Sequence, residues 1–234
     1  AFIMWNHGAG WKADVKPVPY KGFSNDDHGT YAGISISNGD YAAAMAGITA
    51  ALGDKLDVVG FDACLMGMWE VAEASAPYAH YLVASEETEP LNGWAYHNFL
   101  PGLISDWQMS AEQLGIAIVD AYYNETSNDA TQSVTNLDTL DSLAATMSDF
   151  ADALMAHPEL YDQIDGLRSD TQSFYTSTHR DIMDFAERVS AMAGVPADLQ
   201  AAADALVAQL TVTIVYSRAQ SGYPGANGLA IYFP

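Results

Sequence analysis

Hydrophobic residues in the first part of the chain fall into short runs separated by helix-like segments. The runs Phe2–Trp5, Leu56–Phe61 and Tyr81–Ala84 are largely apolar, and runs of this length are typical of strands buried on both faces. Between them, Tyr41–Leu52 and Met66–Ser75 have the composition of helices. The order strand, helix, strand, helix, strand predicts a parallel sheet with crossover helices, and therefore an α/β fold.

The rest of the chain is predicted to be mainly helical, with two strands near its end. The chain has 234 residues, half of them hydrophobic, which is enough for one large domain over residues 1–234. Three parallel strands are few for this length, so we expect N-terminal strands of the fold to be missing from this chain. The later elements are predicted as helices over 111–123, 137–156, 181–193 and 197–206 and as strands over 211–216 and 228–233.

A polar segment over residues 10–30 follows the first strand. It is rich in Gly, Pro and Lys and predicts a long exposed loop. Three of the four lysines of the chain, Lys12, Lys16 and Lys21, lie in it. The segment is therefore a candidate processing region, although exposed loops also tolerate lysine for no functional reason.

The net charge of the chain limits the kinds of molecule that it is expected to bind. The chain has 30 acidic and 8 basic residues, a net charge of −22, which repels nucleic acid and anionic membranes and favours cationic substrates. Much of this acidity is spread along the chain, where it could serve solubility alone. No apolar run approaches the ~20 residues that cross a bilayer, so we expect no membrane insertion.

The single cysteine excludes an internal disulfide, and a lone cysteine is often only a small buried hydrophobe. The six histidines show no spacing such as H-x-x-x-H, so we predict no metal site. The chemistry must then come from another arrangement of side chains.

The three predicted strands end in reactive or charged residues. His7 and Gly8 follow the first strand, Cys64 follows the second, and the acidic turn 85–89 follows the third. Active sites of open α/β sheets form where strands end at their carboxyl edge. If the strands are parallel neighbours, His7 and Cys64 therefore face one cleft.

A histidine beside a cysteine has a recognised chemical use. An imidazole can accept the thiol proton and later protonate a leaving amine. Gly8 lets its backbone N–H approach a substrate oxygen closely, and with the N–H of Cys64 it could form an oxyanion hole. Taken singly, a buried cysteine and a histidine at strand ends are both ordinary.

Four sequence motifs make the functional interpretation of His7 and Cys64 more specific. They are Asn6-His7-Gly8, the string Phe61-Asp62-Ala63-Cys64-Leu65-Met66, the segment 83–96 from Val-Ala-Ser-Glu-Glu to Gly-Trp-Ala-Tyr, and the ending 228–234. Together they resemble the clostripain family of cysteine peptidases over nearly the whole chain. The resemblance implies a caspase-like α/β/α sandwich with a mostly parallel sheet. It also implies a cysteine endopeptidase with Cys64 and His7 as its catalytic dyad.

The resemblance further implies cleavage after Arg or Lys, with Asp62 in the substrate pocket. A carboxylate there would pair with a buried cationic side chain, but Asp62 could equally cap the end of its strand. Relatives often carry Pro-Gly-Asp-Gly-Trp where this chain has Asn92 in place of the acid. Asn92 lacks the charge of a second pocket acid, so basic specificity rests mainly on Asp62.

Residues of the third strand end are further candidates for substrate binding. Glu86, Glu87 and Glu89 could compensate for Asn92, or could form a solvated acidic turn. Trp94 could line the floor of the cleft, although core packing is the more frequent fate of such a side chain.

Other properties of the family are expectations here. Relatives are often activated by cleavage between the catalytic residues, which predicts self-processing after Lys21. The dyad needs no cofactor, but calcium is possible, with Asp26 and Asp27 as acidic loop residues. The resemblance also implies a bacterial-type secreted or cell-surface protein, protein or peptide substrates with basic residues, and an N-terminal chain or segment that completes the fold.

Two readings compete with the peptidase. A catalytically inactive or regulatory binding module on the same scaffold would normally lack the nucleophile or the base, and both are present. A serine hydrolase of similar topology would carry a G-x-S-x-G elbow, which does not occur in this sequence.

Overall fold

Five strands form a central sheet in the order β1-β2-β3-β4-β6, and two short strands pair beside it. The structure is a computed structural model and describes residues 1–11, 23–24, 33–126 and 130–234. The strands are β1 Phe2–Trp5, β2 Leu56–Asp62, β3 Ala79–Ala84, β4 Thr131–Asn136, β5 His179–Asp181, β6 Ile214–Ala219 and β7 Ala230–Tyr232.

Four of the five central strands point in the same direction. β1, β2 and β3 are parallel, and β4 is antiparallel to both of its neighbours, β3 and β6. The mostly parallel sheet predicted from the sequence is confirmed. The two outer strands, β5 and β7, form an antiparallel pair of their own.

Eight α-helices surround the sheet in the described part of the chain. Helix α4 begins with a capping box in which the side chains of Ser110 and Gln113 each accept a hydrogen bond from the backbone of the other, the arrangement that satisfies N-terminal amides. The helices are α1 Asp40–Leu52, α2 Trp69–Ser75, α3 Tyr96–Ser105, α4 Ala111–Glu125, α5 Leu140–Ala156, α6 Tyr161–Asp170, α7 Ile182–Ser190 and α8 Ala197–Thr213.

Successive residues of the central strands point to opposite faces of the sheet, and each face packs into its own hydrophobic core. Val58 and Val83 belong to the core under α3 and α4, whereas Val59 and Leu82 face the core under α1, α2, α5, α7 and α8. This follows from the period of two residues along a strand. Helices on both faces confirm the predicted α/β/α sandwich. Among the described helices, none has the length and apolarity to cross a membrane.

Several elements differ from the sequence-based prediction. Helices α3 and α6 and strand β4 were not predicted, and residues 211–213, predicted as strand, end helix α8 instead. The ending strand β7 pairs outside the central sheet. The predicted helix over 66–75 begins only at Trp69, because the backbone of Gly67 bonds to Ser85 and Ala230 instead of within a helix.

Strand β4 escaped prediction because its residues are polar although they are buried. Thr131 and Ser133 are each about 98–99% buried. The Oγ1 of Thr131 accepts a hydrogen bond from the backbone N–H of Glu86 at 3.1 Å, and the Oγ of Ser133 donates to the carbonyl of Gly228 at 2.6 Å. Buried polar groups with such partners carry little penalty, so a central strand can have the composition of a loop.

Candidate active site

The ends of β1 and β2 lie side by side at one edge of the sheet. Trp5 pairs with Asp62 in the parallel register, so the segments that follow the two strands leave the sheet together. They border a cleft of about 260 Å³. Its lining residues are Trp5, Asn6, His7, Asp62, Ala63, Cys64, Glu89, Pro90 and Leu91.

Gly8 packs against the backbone of Cys64. A Cβ atom at Gly8 would overlap the carbonyl oxygen of Cys64 and lie 3.0 Å from its nitrogen. The segment of His7 is held on its other side, where the backbone N–H of Ser24 donates to the carbonyl of His7 at 3.2 Å. The His7 side chain is exposed. The structure thus brings His7, Gly8 and Cys64 together, and glycine is required for the contact.

The sulfur of Cys64 meets the main chain of Glu89. The backbone N–H of Glu89 donates to the Cys64 Sγ at 3.2 Å, and the Sγ lies 3.8 Å from the carbonyl oxygen of the same residue. Next to it, Leu65 has a φ of 63°, a left-handed conformation that costs a non-glycine residue about 1–3 kcal/mol. The N–H of Leu65 donates to the carbonyl of Glu87 at 3.1 Å. The turn 85–89 therefore holds the sulfur of Cys64 in place.

Asp62 is 2% exposed and lies at the bottom of the cleft. Its Oδ2 accepts hydrogen bonds from the backbone N–H of Trp94 at 2.9 Å and from the hydroxyl of Tyr96 at 2.8 Å. Gly93 has a φ of 65°, and a Cβ there would come within 3.0 Å of both carboxyl oxygens. Asp62 thus bonds to the 93–96 segment and also lines the cleft.

Glu89 is the second carboxyl of the cleft. Its oxygens accept hydrogen bonds from the indole Nε1–H of Trp94 at 3.1 and 3.3 Å. Burial, and then the charge of Asp62, raise the pKa of the Glu89 carboxyl well above its usual value. Among the three glutamates of the acidic turn, Glu89 is the one that lines the cleft.

Three predicted substrate-binding residues lie elsewhere. Trp94 is 3% exposed and packs in the core with Phe99. Asn92 lines a different cavity of about 350 Å³ with His97 and Glu125. Glu86 is 1% exposed and does not line the cleft, because its Oε2 accepts a hydrogen bond from the N–H of Gly228 at 2.9 Å. Glu86 is therefore not among the residues that line the cleft, and its bond to Gly228 holds it inside the fold.

Other expectations fall outside this cleft or outside the described residues. Lys21, Asp26 and Asp27 lie among the residues that the structure does not describe. Within 1–11, 23–24, 33–126 and 130–234, no group of three His, Cys, Asp or Glu side chains is arranged to hold a metal ion.

Two exposed apolar residues of the cleft were missed from the sequence. Trp5 is 66% exposed and Leu91 is 86% exposed, and large exposed apolar side chains are informative when they border a cleft. The signal for Trp5 was available, because a tryptophan at a strand end directly precedes Asn6 and His7. Leu91 carried no comparable signal.

The sequence was compared with those of known protein families, and one family matches. The model of the clostripain family matches residues 1–232. The chain belongs to the clostripain family. No curated protein has a significantly similar sequence.

Solved structures share the fold of this clostripain-family chain at low identity. An inactive zymogen C11 protease from Parabacteroides distasonis has 22% identity and a TM-score of 0.61 over 99% of this chain. A secreted C11 cysteine protease from Bacteroides thetaiotaomicron has 21% identity and a TM-score of 0.68 over 98% of the chain, and its complex with an irreversible peptide inhibitor has 19% and 0.71 over 99%. The chain spans only 63–65% of the length of these proteins.

The buried glutamate of the acidic turn forms a carboxyl pair with Asp181. Asp181 is fully buried and accepts hydrogen bonds from the backbone N–H groups of Asp184 at 2.7 Å and Asn227 at 2.6 Å. Burial raises the pKa of Asp181 to about 6. Burial, and then the charge of Asp181, raise the pKa of Glu86 well above its usual value. A protonated Glu86 can donate its proton to Asp181, which links the turn beside Cys64 to the start of α7.

Replacing Glu86 by glutamine is expected to stabilise the protein at pH 8. Both carboxyls have higher pKa values in the fold than in the unfolded chain, so stability falls as pH rises from about 4 through the folded values. A glutamine amide still accepts from Gly228 and donates to Asp181 but does not ionise. We expect a Tm higher by about 2–4 °C at pH 8, with the gain vanishing near pH 4.

Thermal unfolding monitored by circular dichroism between pH 4 and 8 measures this effect. Glu187→Gln, on the exposed face of α7, is the matched control and should follow the wild type. A Glu86→Gln protein with the same pH dependence as the wild type would contradict the shared proton.

Proposed function

We propose that this chain carries the active site of a cysteine endopeptidase. The observation that supports it most is the single cleft lined by His7 and Cys64 at the carboxyl edge of parallel strands. The two residues are 57 positions apart in sequence, yet Gly8 and Cys64 are in backbone contact. Such proximity is what a thiol and its acid–base partner require.

In the proposed reaction, the Cys64 thiolate attacks the carbonyl carbon of the peptide bond while His7 holds the thiol proton. The oxygen of the tetrahedral intermediate accepts hydrogen bonds from the N–H groups of Gly8 and Cys64. His7 then gives its proton to the leaving amine, and a thioester with Cys64 remains. Water, deprotonated by His7, releases the carboxyl product and restores the thiol. No cofactor takes part.

The proposed substrates carry Arg or Lys before the scissile bond. Asp62 supports this proposal, because it is a nearly fully buried carboxyl that lines the cleft beside Cys64. A buried carboxylate is costly unless it meets a cation. The net charge of −22 further favours cationic peptides.

A screen of fluorogenic peptides that differ only in the residue before the scissile bond tests the proposed function. We expect kcat/KM for Arg and Lys peptides to exceed that for Ala peptides by at least about 10²-fold. Asp62→Asn should lower it about 10–100-fold for basic peptides, since a charge-assisted bond is lost, while the amide oxygen can still accept from Trp94 and Tyr96.

Asp57→Asn provides the matched control, because Asp57 is an exposed acid on the same strand β2. Equal activity on neutral and basic peptides would contradict the specificity, and no activity on any peptide would contradict the enzyme. The second outcome would favour the alternative of a catalytically inactive or regulatory binding module. That alternative stays relevant because one similar structure is described as an inactive zymogen.

Self-activation, secretion and completion by an N-terminal segment belong to the same proposal. Cleavage after Lys21 would be carried out by Cys64 of the same protein. The similar Bacteroides thetaiotaomicron protease is a secreted protein, and the chain spans less than two thirds of its length. Dependence on calcium would be a separate property from the chemistry of the dyad.

A further inference from the structure

We propose that Glu89 determines the specificity of the cleft and positions its nucleophile. Its carboxyl and that of Asp62 together form a receptor for one cationic side chain, and its main chain bonds to the Cys64 sulfur, so that filling the receptor acts on the nucleophile. This inference rests on the peptidase function proposed above and names a residue and a coupling that the dyad alone does not require.

The two carboxyls are fixed by the same residue. The backbone N–H of Trp94 donates to Asp62 at 2.9 Å, and its indole N–H donates to Glu89 at 3.1 Å. Trp94 is 3% exposed, and its ring stacks on Tyr96 with centroids 6.5 Å apart. Since a buried and stacked indole has little freedom, the two acids are held as a preformed pair at the bottom of the cleft.

The pair holds a proton when no cation is bound. Two buried carboxyls that share a site do not both ionise readily, and the raised pKa of Glu89 has burial and the charge of Asp62 as its main causes. A guanidinium or ammonium group that enters the cleft replaces this proton. The charge balance is then one cation bound and up to one proton released to solvent.

No lysine or arginine of the described part of the chain bonds to the pair, because all five are engaged at other places. Their bonds are Lys55 to Asp138 and the carbonyl of Ala76, Arg168 to Asp165, Arg180 to the carbonyls of Ser169 and Thr171, Arg188 to Asp184, and Arg218 to Asp120. A lysine or arginine side chain that binds the pair would therefore come from a substrate, or from Lys12, Lys16 or Lys21, which lie outside the described residues.

The carboxyl of Glu89 and the sulfur of Cys64 are linked through a single residue. The Glu89 N–H donates to the Sγ at 3.2 Å, so the position of this amide helps to fix the position of the sulfur. When a cation binds the Glu89 carboxyl, the main chain of Glu89 shifts or becomes more rigid. Because that main chain contacts the sulfur of Cys64, the position of the sulfur changes with it. Specificity is then expressed in kcat as well as in KM, because only a cationic substrate acts on the nucleophile.

The location of Asn92 is consistent with this assignment. Asn92 lines the cavity on the other side of the 90–94 turn, with Glu125. Glu89, three residues earlier, is the acid that reaches Asp62. The charge that Asn92 lacks is thus supplied from a different position of the same turn.

Glu89→Gln tests the proposal, because glutamine keeps an acceptor for Trp94 and cannot ionise. We expect kcat for Arg and Lys peptides to fall about 10–100-fold, and a clearly smaller fall for a neutral peptide. Glu125→Gln, an exposed acid of the second cavity, is the matched control and should change neither.

Proton release gives an independent readout. Binding of an uncleaved Arg peptide to the Cys64→Ala protein is measured by calorimetry between pH 5 and 8 in buffers of different ionisation enthalpy. We expect release of up to one proton, and none when Glu89→Gln is added. Unchanged release would overturn the shared proton, a rise in KM alone would overturn the link to Cys64, and equal losses for neutral and basic peptides would overturn the receptor.

The same data separate this inference from the proposed function. If Glu89→Gln changes nothing while Arg and Lys peptides are still cleaved through Cys64, the inference fails and the peptidase stands. If the wild type cleaves no peptide at all, the peptidase itself fails.

Discussion

Peptide hydrolysis falls to background when Cys64 is replaced by alanine, and turnover falls about 10²–10⁴-fold when His7 is replaced by alanine. The first result is expected because the thioester cannot form without the sulfur, and the second because a positioned acid–base group contributes about that factor. Both side chains border the solvent-accessible cleft, so neither change should disturb the core. Steady-state assays with an Arg peptide, beside thermal unfolding of each variant, make the measurement.

His97→Ala is the control for the histidine, since His97 is exposed and lines the other cavity. It should retain full activity. Hydrolysis that survives in the purified Cys64→Ala or His7→Ala protein at the wild-type rate would refute the dyad.

The same Cys64→Ala protein reports on self-processing. Mass spectrometry of the active protein should show a cut after Lys21, in the context Tyr20-Lys21-Gly22, and the Cys64→Ala protein should remain whole. Identical uncut masses in both proteins would rule out processing at this site, without bearing on the hydrolysis of other peptides.

Gly8→Ala is expected to lower kcat/KM by about 10²-fold, although Gly8 has no side chain to act on a substrate. The added methyl group would overlap the carbonyl oxygen of Cys64 and lie 3.1 Å from the Cβ of Ala63. These neighbours are a backbone and a short side chain, so the segment of His7 must move away from Cys64. A displacement of about 1 Å of a reacting group can cost 10²-fold in rate.

The same change should lower the free energy of unfolding by about 1–3 kcal/mol, as overpacking generally does. Gly47→Ala is the control: Gly47 lies inside α1 with open space around it, and alanine there should be neutral or stabilising by up to about 1 kcal/mol. Kinetics and chemical denaturation of both variants measure the two effects. A fully active Gly8→Ala protein would show that the backbone contact does not position the dyad.

The local hydrophobic pattern was sufficient to predict the part of the fold that carries Cys64. The apolar runs of β1, β2 and β3 are long enough and separated by helical segments, so their parallel order and their common edge could be predicted. The polar strand β4 could not, because Thr131 and Ser133 find partners 46 and 95 positions away in the sequence. Hydrogen bonds between residues so far apart in sequence produce no periodic pattern of hydrophobic residues from which a strand could be predicted.

For the candidate site, too, some residues could be predicted from the sequence and others could not. The motif strings and strand ends together pointed to His7, Gly8, Cys64 and Asp62. They could not rank the acids of the turn 85–89, since Glu86 and Glu89 have the same chemistry and nearly the same place in the chain. Gly228 draws Glu86 inward, and Trp94 binds Glu89 at the cleft.

By itself, the sequence determined the α/β class, the parallel order of β1, β2 and β3 and the strand ends beside which His7 and Cys64 lie, because these depend on the order of residues along the chain. Tertiary structure alone decided that Glu89 is the acid beside Asp62 and that its amide bonds to the sulfur of Cys64. It also decided that Asn92 belongs to another cavity. The physical reason is that hydrogen bonds and buried charges depend on distances in space, which the separation in sequence does not set.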